Sequence, residues 1–214
     1  MLRQCALILL AAVVPGGLCS RKQPAEARFW AWFRAHETAL LEVVTAKEPI
    51  CDELSAELQK VHPDLTFEFG PVESGRREFV LSAGGIRAAF PAVLALARAA
   101  PSLPRWTIIR FRPARPDSST VNFGGLGLDA RSVEFLAEPD GTGTGLTISV
   151  PGYKVTPNKT YEQCVYLLLD RMLGEYSVEM GVGFIKIIAP EGRPIGQWRP
   201  LTRVGDAVKT QPTQ

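Results

Sequence analysis

Two stretches of the chain show the same succession of hydrophobic patterns, and this repeat constrains the fold more than any other feature. In the first stretch, residues 65–69 alternate apolar and polar side chains, which is typical of a half-buried strand. Residues 78–81 are its expected hairpin partner. An alanine-rich helical segment over 90–100 ends at Pro101, and a further strand is expected over 105–112. The predicted order is strand, strand, helix, strand.

The second stretch presents the same order with different residues. Strand-like segments at 133–136 and 146–150 flank the glycine-rich segment 140–145, which is typical of a hairpin turn. A helical segment over 161–173 carries apolar side chains four residues apart, and 182–188 is a strongly apolar strand. The repeat is one of element order and not of residue identity.

Together these patterns predict the α+β class: one mainly antiparallel sheet built from two ββαβ units, with helices on one face and an added N-terminal helix pair. A chain of 214 residues with 46% hydrophobic residues supplies enough apolar side chains for one core of this kind. We therefore expect a single domain over 24–209, with halves at about 65–115 and 120–190. Residues 210–214 are expected to form a disordered tail.

The N-terminal part of that domain has helical periodicity. Residues 24–46 predict one long amphipathic helix, because apolar side chains recur at helical spacing on one face. The residues of this face are Phe29, Phe33, Leu40 and Val44. Pro49 fits the first turn of a second helix, where its missing N–H group is tolerated. We expect that helix to end at His62, because the residue before a proline disfavours the α conformation.

Residues 1–19 have the composition of a secretory signal. One basic residue, Arg3, precedes an uninterrupted apolar run over 5–14, and a Pro-Gly-Gly sequence breaks that run. The run is shorter than the roughly 20 apolar residues that a membrane-spanning helix needs. We therefore expect a periplasmic or secreted protein without a transmembrane span in the mature chain. A lipid anchor on Cys19 is the alternative, although Leu18 fits the bacterial lipobox poorly.

Six segments, taken in order, carry a resemblance to known proteins. They are FWAWF at 29–33, HPDLTFEFG at 62–70, REFVLSA at 77–83, LLLD at 167–170, LGEY at 173–176 and VGFI at 182–185. Together they resemble a family of uncharacterised bacterial proteins of unknown function, over most of the mature chain. The resemblance implies no activity, substrate or catalytic residue. It also implies no signal peptide, so the expected export signal departs from the family.

Two of the four cysteines, Cys51 and Cys164, belong to the expected mature chain. In an oxidising compartment they can form a disulfide. Both lie on predicted helices beside apolar residues, where buried free thiols are common, so both states stay open. The two histidines and two cysteines are too widely spaced for a zinc pattern, and we expect no metal and no cofactor.

The net charge of +2 conceals two oppositely charged segments. Residues 25–73 carry ten acidic and four basic side chains, whereas 76–115 carry eight arginines and one glutamate. The residues expected to form a basic patch are Arg76, Arg77, Arg110 and Arg112, the last two on one face of their strand because side chains alternate. Such a patch favours an acidic peptide, polysaccharide or protein as partner. The acidic helices can instead lie against it and neutralise it. The nearly balanced total charge argues against nucleic acid.

No motif identifies a catalytic residue. The serines lie outside any nucleophile elbow, and the glycine-rich hairpin lacks the lysine of a P-loop. The leading expectation is therefore an exported, non-enzymatic binding or protein-interaction domain of the bacterial envelope. A carboxylate-based hydrolase is the alternative, because Asp170, Glu175 and Glu179 lie close together in sequence. A concave pocket holding carboxylates with a raised pKa would favour the enzyme, and a flat patch would favour binding.

Overall fold

A computed structural model of the protein describes residues 23–141, 143–154 and 158–208. These ranges contain both helices and strands in an α+β fold whose strand pairs are mainly antiparallel, which confirms the predicted class. None of the helices within the described ranges is long and apolar enough to cross a membrane. The predicted signal at 1–19, with Cys19, and the predicted tail at 210–214 lie outside the described residues.

Three helices form the N-terminal layer, where the sequence predicts two. They are α1 (Ala25–Ala35), α2 (Glu37–Glu42) and α3 (Pro49–Gln59). His36 separates the first two: its backbone leaves the helical region (φ −110°, ψ 11°), and its ring stacks on that of Trp32. Because α2 ends at Glu42, Val44 is 86% exposed and Val43 is buried in its place. The prediction of one helix with Val44 on its buried face is therefore wrong.

The first unit follows the predicted order. It comprises β1 (Thr66–Glu73), β2 (Arg76–Ser82), α4 (Phe90–Arg98) and β3 (Trp106–Arg110). β1 and β2 are antiparallel, whereas β3 lies parallel to β2 because α4 carries the chain back along the sheet. Ser74 and Gly75 both have positive φ angles (51° and 75°), which suit the two-residue turn of this hairpin.

A short hairpin lies between the two units. It consists of β4 (Thr120–Phe123) and β5 (Leu126–Asp129). The sequence does not predict these strands, because each has only four residues and the glycine-rich turn resembles a flexible connector. Gly124 and Gly125 turn the chain with positive φ angles of 57° and 80°, which glycine adopts without strain.

The second unit repeats the topology of the first with an inserted helix. It comprises β6 (Glu134–Asp140), β7 (Gly143–Ser149), α5 (Lys159–Leu173), α6 (Glu175–Gly181) and β8 (Val182–Ile188). β6 and β7 are antiparallel, and β8 lies parallel to β7. A two-residue strand, β9 (Arg199–Pro200), pairs with the other side of β6.

The described strands divide into three sheets, which corrects the prediction of one. Their orders are β1-β2-β3, β4-β5 and β8-β7-β6-β9. Each large sheet has its own buried cluster: the first is rich in aromatic side chains such as Phe79 and Trp106, and the second in aliphatic ones such as Leu146 and Leu168. The two units therefore meet through loops and helix ends and not through a shared strand ladder.

Candidate functional site at the junction of the two units

Glu175 ties the second unit to the first. It is the first residue of α6, and none of its surface is exposed. Its Oε1 accepts hydrogen bonds from the backbone N–H groups of Ala83 (2.9 Å) and Gly85 (3.1 Å), and its Oε2 accepts one from that of Arg112 (3.1 Å). A buried carboxylate needs such donors, because an unpaired buried charge is strongly destabilising. Glu175 is therefore a structural connection between the units.

Gly174 allows the close approach that this connection requires. Its φ is +81°, and a Cβ atom there would lie 3.1 Å from the nitrogen of Ala114 and 3.2 Å from the carbonyl oxygen of Arg112. The N–H of Glu175 also donates to that Arg112 carbonyl at 2.9 Å. The segment after β3 therefore lies directly against the junction of α5 and α6.

The chain turns sharply at Phe111, immediately after β3. Phe111 has a φ of 62°, in the left-handed region that non-glycine residues rarely adopt. Its ring packs against those of Phe90 (4.4 Å between centroids) and Tyr176 (5.3 Å). Because the strand ends at Arg110, the alternation that predicts Arg110 and Arg112 on one face does not extend to Arg112. The side chain of Arg112 instead contacts the second unit.

The guanidinium group of Arg112 joins carboxylates from both units. Its Nε donates to Oε1 of Glu68 on β1, and its Nη1 lies 3.6 Å from Oδ2 of Asp170 on α5. Burial disfavours the charged form of Arg112, but the bond to Glu68 and the charges around it raise its pKa overall. Arg112 therefore stays charged between its two partners.

Asp170 is a largely buried carboxyl group whose side chain is 15% exposed. Burial raises its pKa to about 7. The attraction of Arg112 opposes this shift, and the negative charges of Glu175 and Glu179 add to it. The pKa of Glu179 is also raised, first by burial and then by Glu175, against the attraction of Arg87. Asp170 therefore holds a proton for part of the time at neutral pH.

Glu68, Arg112 and Asp170 line a cavity of about 350 Å³, which we call the junction cavity, whereas Glu175 and Glu179 are not part of its lining. Its charged side chains are Glu68, Asp170, Arg112, Arg115 and Arg171. Thr120 and Asn122 of β4 add polar groups, while Val121 and Leu167 add apolar surface. The cavity is concave and contains carboxylates, one with a raised pKa, so its shape suits an enzyme as well as a binding protein. Across the described part of the chain, no group of three or more His, Cys, Asp or Glu side chains is placed to hold a metal ion.

Arg77 lies in the interior and not in a basic surface patch, which corrects the prediction. Only 8% of it is exposed. Its Nη1 donates to the carbonyl oxygens of Leu40 (3.2 Å), Leu41 (3.2 Å) and Val43 (2.8 Å) at the end of α2. Its Nε donates to the carbonyl oxygen of Gly70 at 2.8 Å. Carbonyl groups at a helix C-terminus lack helical partners and carry partial negative charge, so Arg77 caps this helix from a neighbouring strand.

The other three arginines of the predicted patch are separated from one another. Arg76 and Arg110 lie at opposite ends of the pairing between β2 and β3. Arg110 lines a cavity of about 240 Å³ together with Arg98, whereas Arg112 lines the junction cavity. The structure therefore places the predicted residues in different sites, and only Arg112 joins the carboxylates near the end of α5.

Cys51 and Cys164 are free and buried, so the disulfide considered from the sequence is not formed in this structure. The Sγ atom of Cys51 lies 3.8 Å from the carbonyl oxygen of Thr45. That of Cys164 lies 3.9 Å and 3.8 Å from the carbonyl oxygens of Phe123 and Leu126. Burial raises the pKa of both thiols, which disfavours the reactive thiolate.

Three charged residues of the junction cavity are not singled out by sequence reasoning: Glu68, Arg115 and Arg171. Glu68 is one polar position of an alternating strand, and Arg115 lies in an irregular linker that has no periodicity to interpret. Arg171 directly follows Asp170 near the end of α5. The sequence does show that charged residues cluster near the end of α5. It does not show which residues from distant parts of the chain lie opposite that cluster.

Comparison of the chain with protein-family models, with curated proteins and with solved structures finds no match. The resemblance to uncharacterised bacterial proteins therefore stays a prediction.

Proposed function

We propose that this protein is an exported, non-enzymatic binding domain of the bacterial envelope whose junction cavity binds an acidic group of a peptide or protein partner. The observation that carries the proposal is the convergence of Arg112, Arg115 and Arg171 on one cavity of about 350 Å³. A guanidinium group binds a carboxylate through two parallel hydrogen bonds, which gives both strength and direction. Cavities of this volume are typical of small-ligand sites.

Of the three arginines, Arg171 and Arg115 can bind a ligand with the smallest loss of existing interactions. Nη1 of Arg171 donates to the neutral hydroxyl of Ser118 at 2.9 Å, and within the described residues Arg171 forms no ion pair. Arg115 pairs with Glu78, but their side chains are 47% and 34% exposed. An exposed ion pair contributes only about 0–1 kcal/mol, so a ligand carboxylate can replace Glu78.

Titration calorimetry of the purified chain with a short glutamate peptide tests this binding. We expect binding that weakens as salt is added, because opposite charges are screened. Arg171→Ala should weaken it about ten-fold, which corresponds to about 1.4 kcal/mol. Arg203→Ala is the matched control, because Arg203 is an exposed arginine that pairs with Asp206 outside the cavity. Equal binding of a glutamine peptide, or an equal loss in both variants, would contradict the proposal.

Placement in the envelope is supported by the composition of residues 1–19 alone. Intact mass spectrometry of the protein recovered from its native host tests it. A mass beginning after Cys19 indicates ordinary export, and a lipid-modified Cys19 at the N-terminus indicates an anchor. Retention of residues 1–19 would contradict export.

A carboxylate-based hydrolase is the second candidate, because Glu68 and Asp170 line the same cavity and the pKa of Asp170 is raised to about 7. Glycoside hydrolysis uses one protonated and one ionised carboxyl group on opposite sides of the scissile bond. Here one guanidinium group, that of Arg112, is hydrogen-bonded to Glu68 and forms an ion pair with Asp170, so both carboxyl groups already have a cationic partner and we place binding first. Release of sugar from a polysaccharide by the wild type, abolished in Asp170→Asn, would reverse this order.

A further inference from the structure

A second cavity of about 320 Å³ adjoins the junction cavity. Arg115 lines both cavities, so it is the residue that they share. The second cavity is formed mainly by the β1–β2 hairpin, and its lining includes Arg76, Glu73 and Thr107. We call it the hairpin cavity.

Arg76 is available to a ligand in the hairpin cavity. Its side chain is exposed, and its Nη2 lies 3.5 Å from the carbonyl oxygen of Trp106 and 3.4 Å from Oγ1 of Thr107. Both distances exceed the range of about 2.7–3.2 Å that is usual for such bonds, so both are weak. Arg76 can therefore turn toward a ligand and lose only these two weak hydrogen bonds.

The ion pair between Arg115 and Glu78 lies where the two cavities meet. Glu78 lines the hairpin cavity. Because the ion pair is partly exposed, it contributes little to stability, and a ligand can replace Glu78 as the partner of Arg115. A ligand that places a carboxylate near Arg76 and another near Arg171 would pass Arg115 on its way. The extended ligand would then contact three arginines in succession: Arg76, Arg115 and Arg171.

We propose that the hairpin cavity is a second subsite for an acidic group, so that the ligand is an extended peptide segment with at least two acidic side chains, one in each cavity. The inference rests on the proposed function, because the junction cavity is taken to bind the first group. Thr120 and Asn122 offer hydrogen-bonding groups that match peptide N–H and C=O groups. Among the described residues, no aromatic side chain lines either cavity, so neither offers the flat face on which a sugar ring stacks.

Three alanine-based peptides test the inference by calorimetry on the full purified chain: one with a single glutamate, and two with a pair of glutamates spaced two or four residues apart. Alternate side chains of an extended peptide lie on one side, about 7 Å apart, so these spacings sample the reach between the cavities. We expect at least one paired peptide to bind about ten-fold more tightly than the single-glutamate peptide.

Variants locate the two subsites. Arg76→Ala should remove the advantage of the paired peptide and leave the single-glutamate affinity unchanged, and Arg76→Lys should retain part of it. Arg171→Ala should weaken both peptides. Arg105→Ala is the control, because Arg105 is exposed immediately before β3 and lines neither cavity.

The outcomes separate this inference from the proposed function. If single and paired peptides bind equally, or if Arg76→Ala weakens both alike, the second subsite is refuted while the first stands. If no peptide binds, both proposals fail. Tight binding of a uronic-acid polymer in place of the peptides, with loss in Arg76→Ala, would overturn the peptide as ligand.

Discussion

Asp170→Asn is a direct test of the electrostatics of the junction cavity, because asparagine keeps the shape of the side chain but cannot ionise. Folding raises the pKa of Asp170 from its usual value of 3.8 to about 7. At about 1.4 kcal/mol for each tenfold change in proton affinity, this difference corresponds to roughly 4 kcal/mol. Since the side chain is only 15% exposed, solvent screening reduces the figure little.

The sign of the effect follows from the direction of the shift. The folded state binds the proton more tightly than the unfolded state, so the stabilisation by protonated Asp170 is fully present below a pH of 3.8. It is lost as the pH rises through about 7. Relative to Asp170→Asn, the wild type should therefore lose roughly 4 kcal/mol of its free energy of unfolding between about pH 4 and about pH 8.

Urea denaturation of both proteins across this pH range measures the difference. Any effect of the substitution that does not depend on pH moves the two curves apart by a constant amount and leaves the slope between them unchanged. Asp117→Asn, an exposed aspartate in the linker after β3, provides the comparison for loss of a carboxylate elsewhere. Parallel curves for wild type and Asp170→Asn would refute the argument that burial holds a proton on Asp170.

Three further predictions concern the interior. Glu175→Gln should lower the free energy of unfolding by about 2–4 kcal/mol, because three backbone N–H groups lose a charged acceptor. Arg77→Ala should lower it by about 2–3 kcal/mol by uncapping α2, and Arg77→Lys should recover little, because an ammonium group lacks the planar fork. Urea denaturation measures both. Cys51 and Cys164 should react with an alkylating reagent only after unfolding, as followed by mass.

Each of these predictions has an outcome that contradicts it. A Glu175→Gln variant as stable as wild type would show that the two units do not depend on its hydrogen bonds. An Arg77→Lys variant as stable as wild type would show that the positive charge of Arg77, and not the planar shape of its guanidinium group, stabilises the end of α2. Rapid labelling of either thiol in the folded protein would contradict its burial, and a mass about two daltons lower before labelling would indicate a disulfide.

The order of elements in both units is predictable from the sequence, because hydrophobic periodicity is a local property. The strand over Val182–Ile188 has the bounds that the pattern predicts, and α5 ends at Leu173 as expected. The break between α1 and α2 is not predictable in this way, because no proline or glycine marks it. The apolar spacing continues through His36 to Val44, although the helix ends before Val44.

Only part of the candidate site could be predicted from the sequence. Asp170 and Glu175 are close neighbours in the chain, so their proximity is expected from the helix end alone. Arg112 lies 63 residues before Glu175 and 44 after Glu68, and their contacts exist only because the two units dock at this point. The turn at Phe111 also separates Arg112 from Arg110, which no alternating pattern indicates.

The sequence by itself determined the α+β class and the repeated ββαβ order, because side-chain periodicity sets which local elements can bury an apolar face. Only the tertiary structure decided that the strands form separate sheets, that Arg77 caps a helix in the interior, and that Arg112 joins Glu68 to Asp170. These outcomes depend on contacts between residues far apart in the chain. Their hydrogen bonds and charges acquire partners only when the two cores have packed.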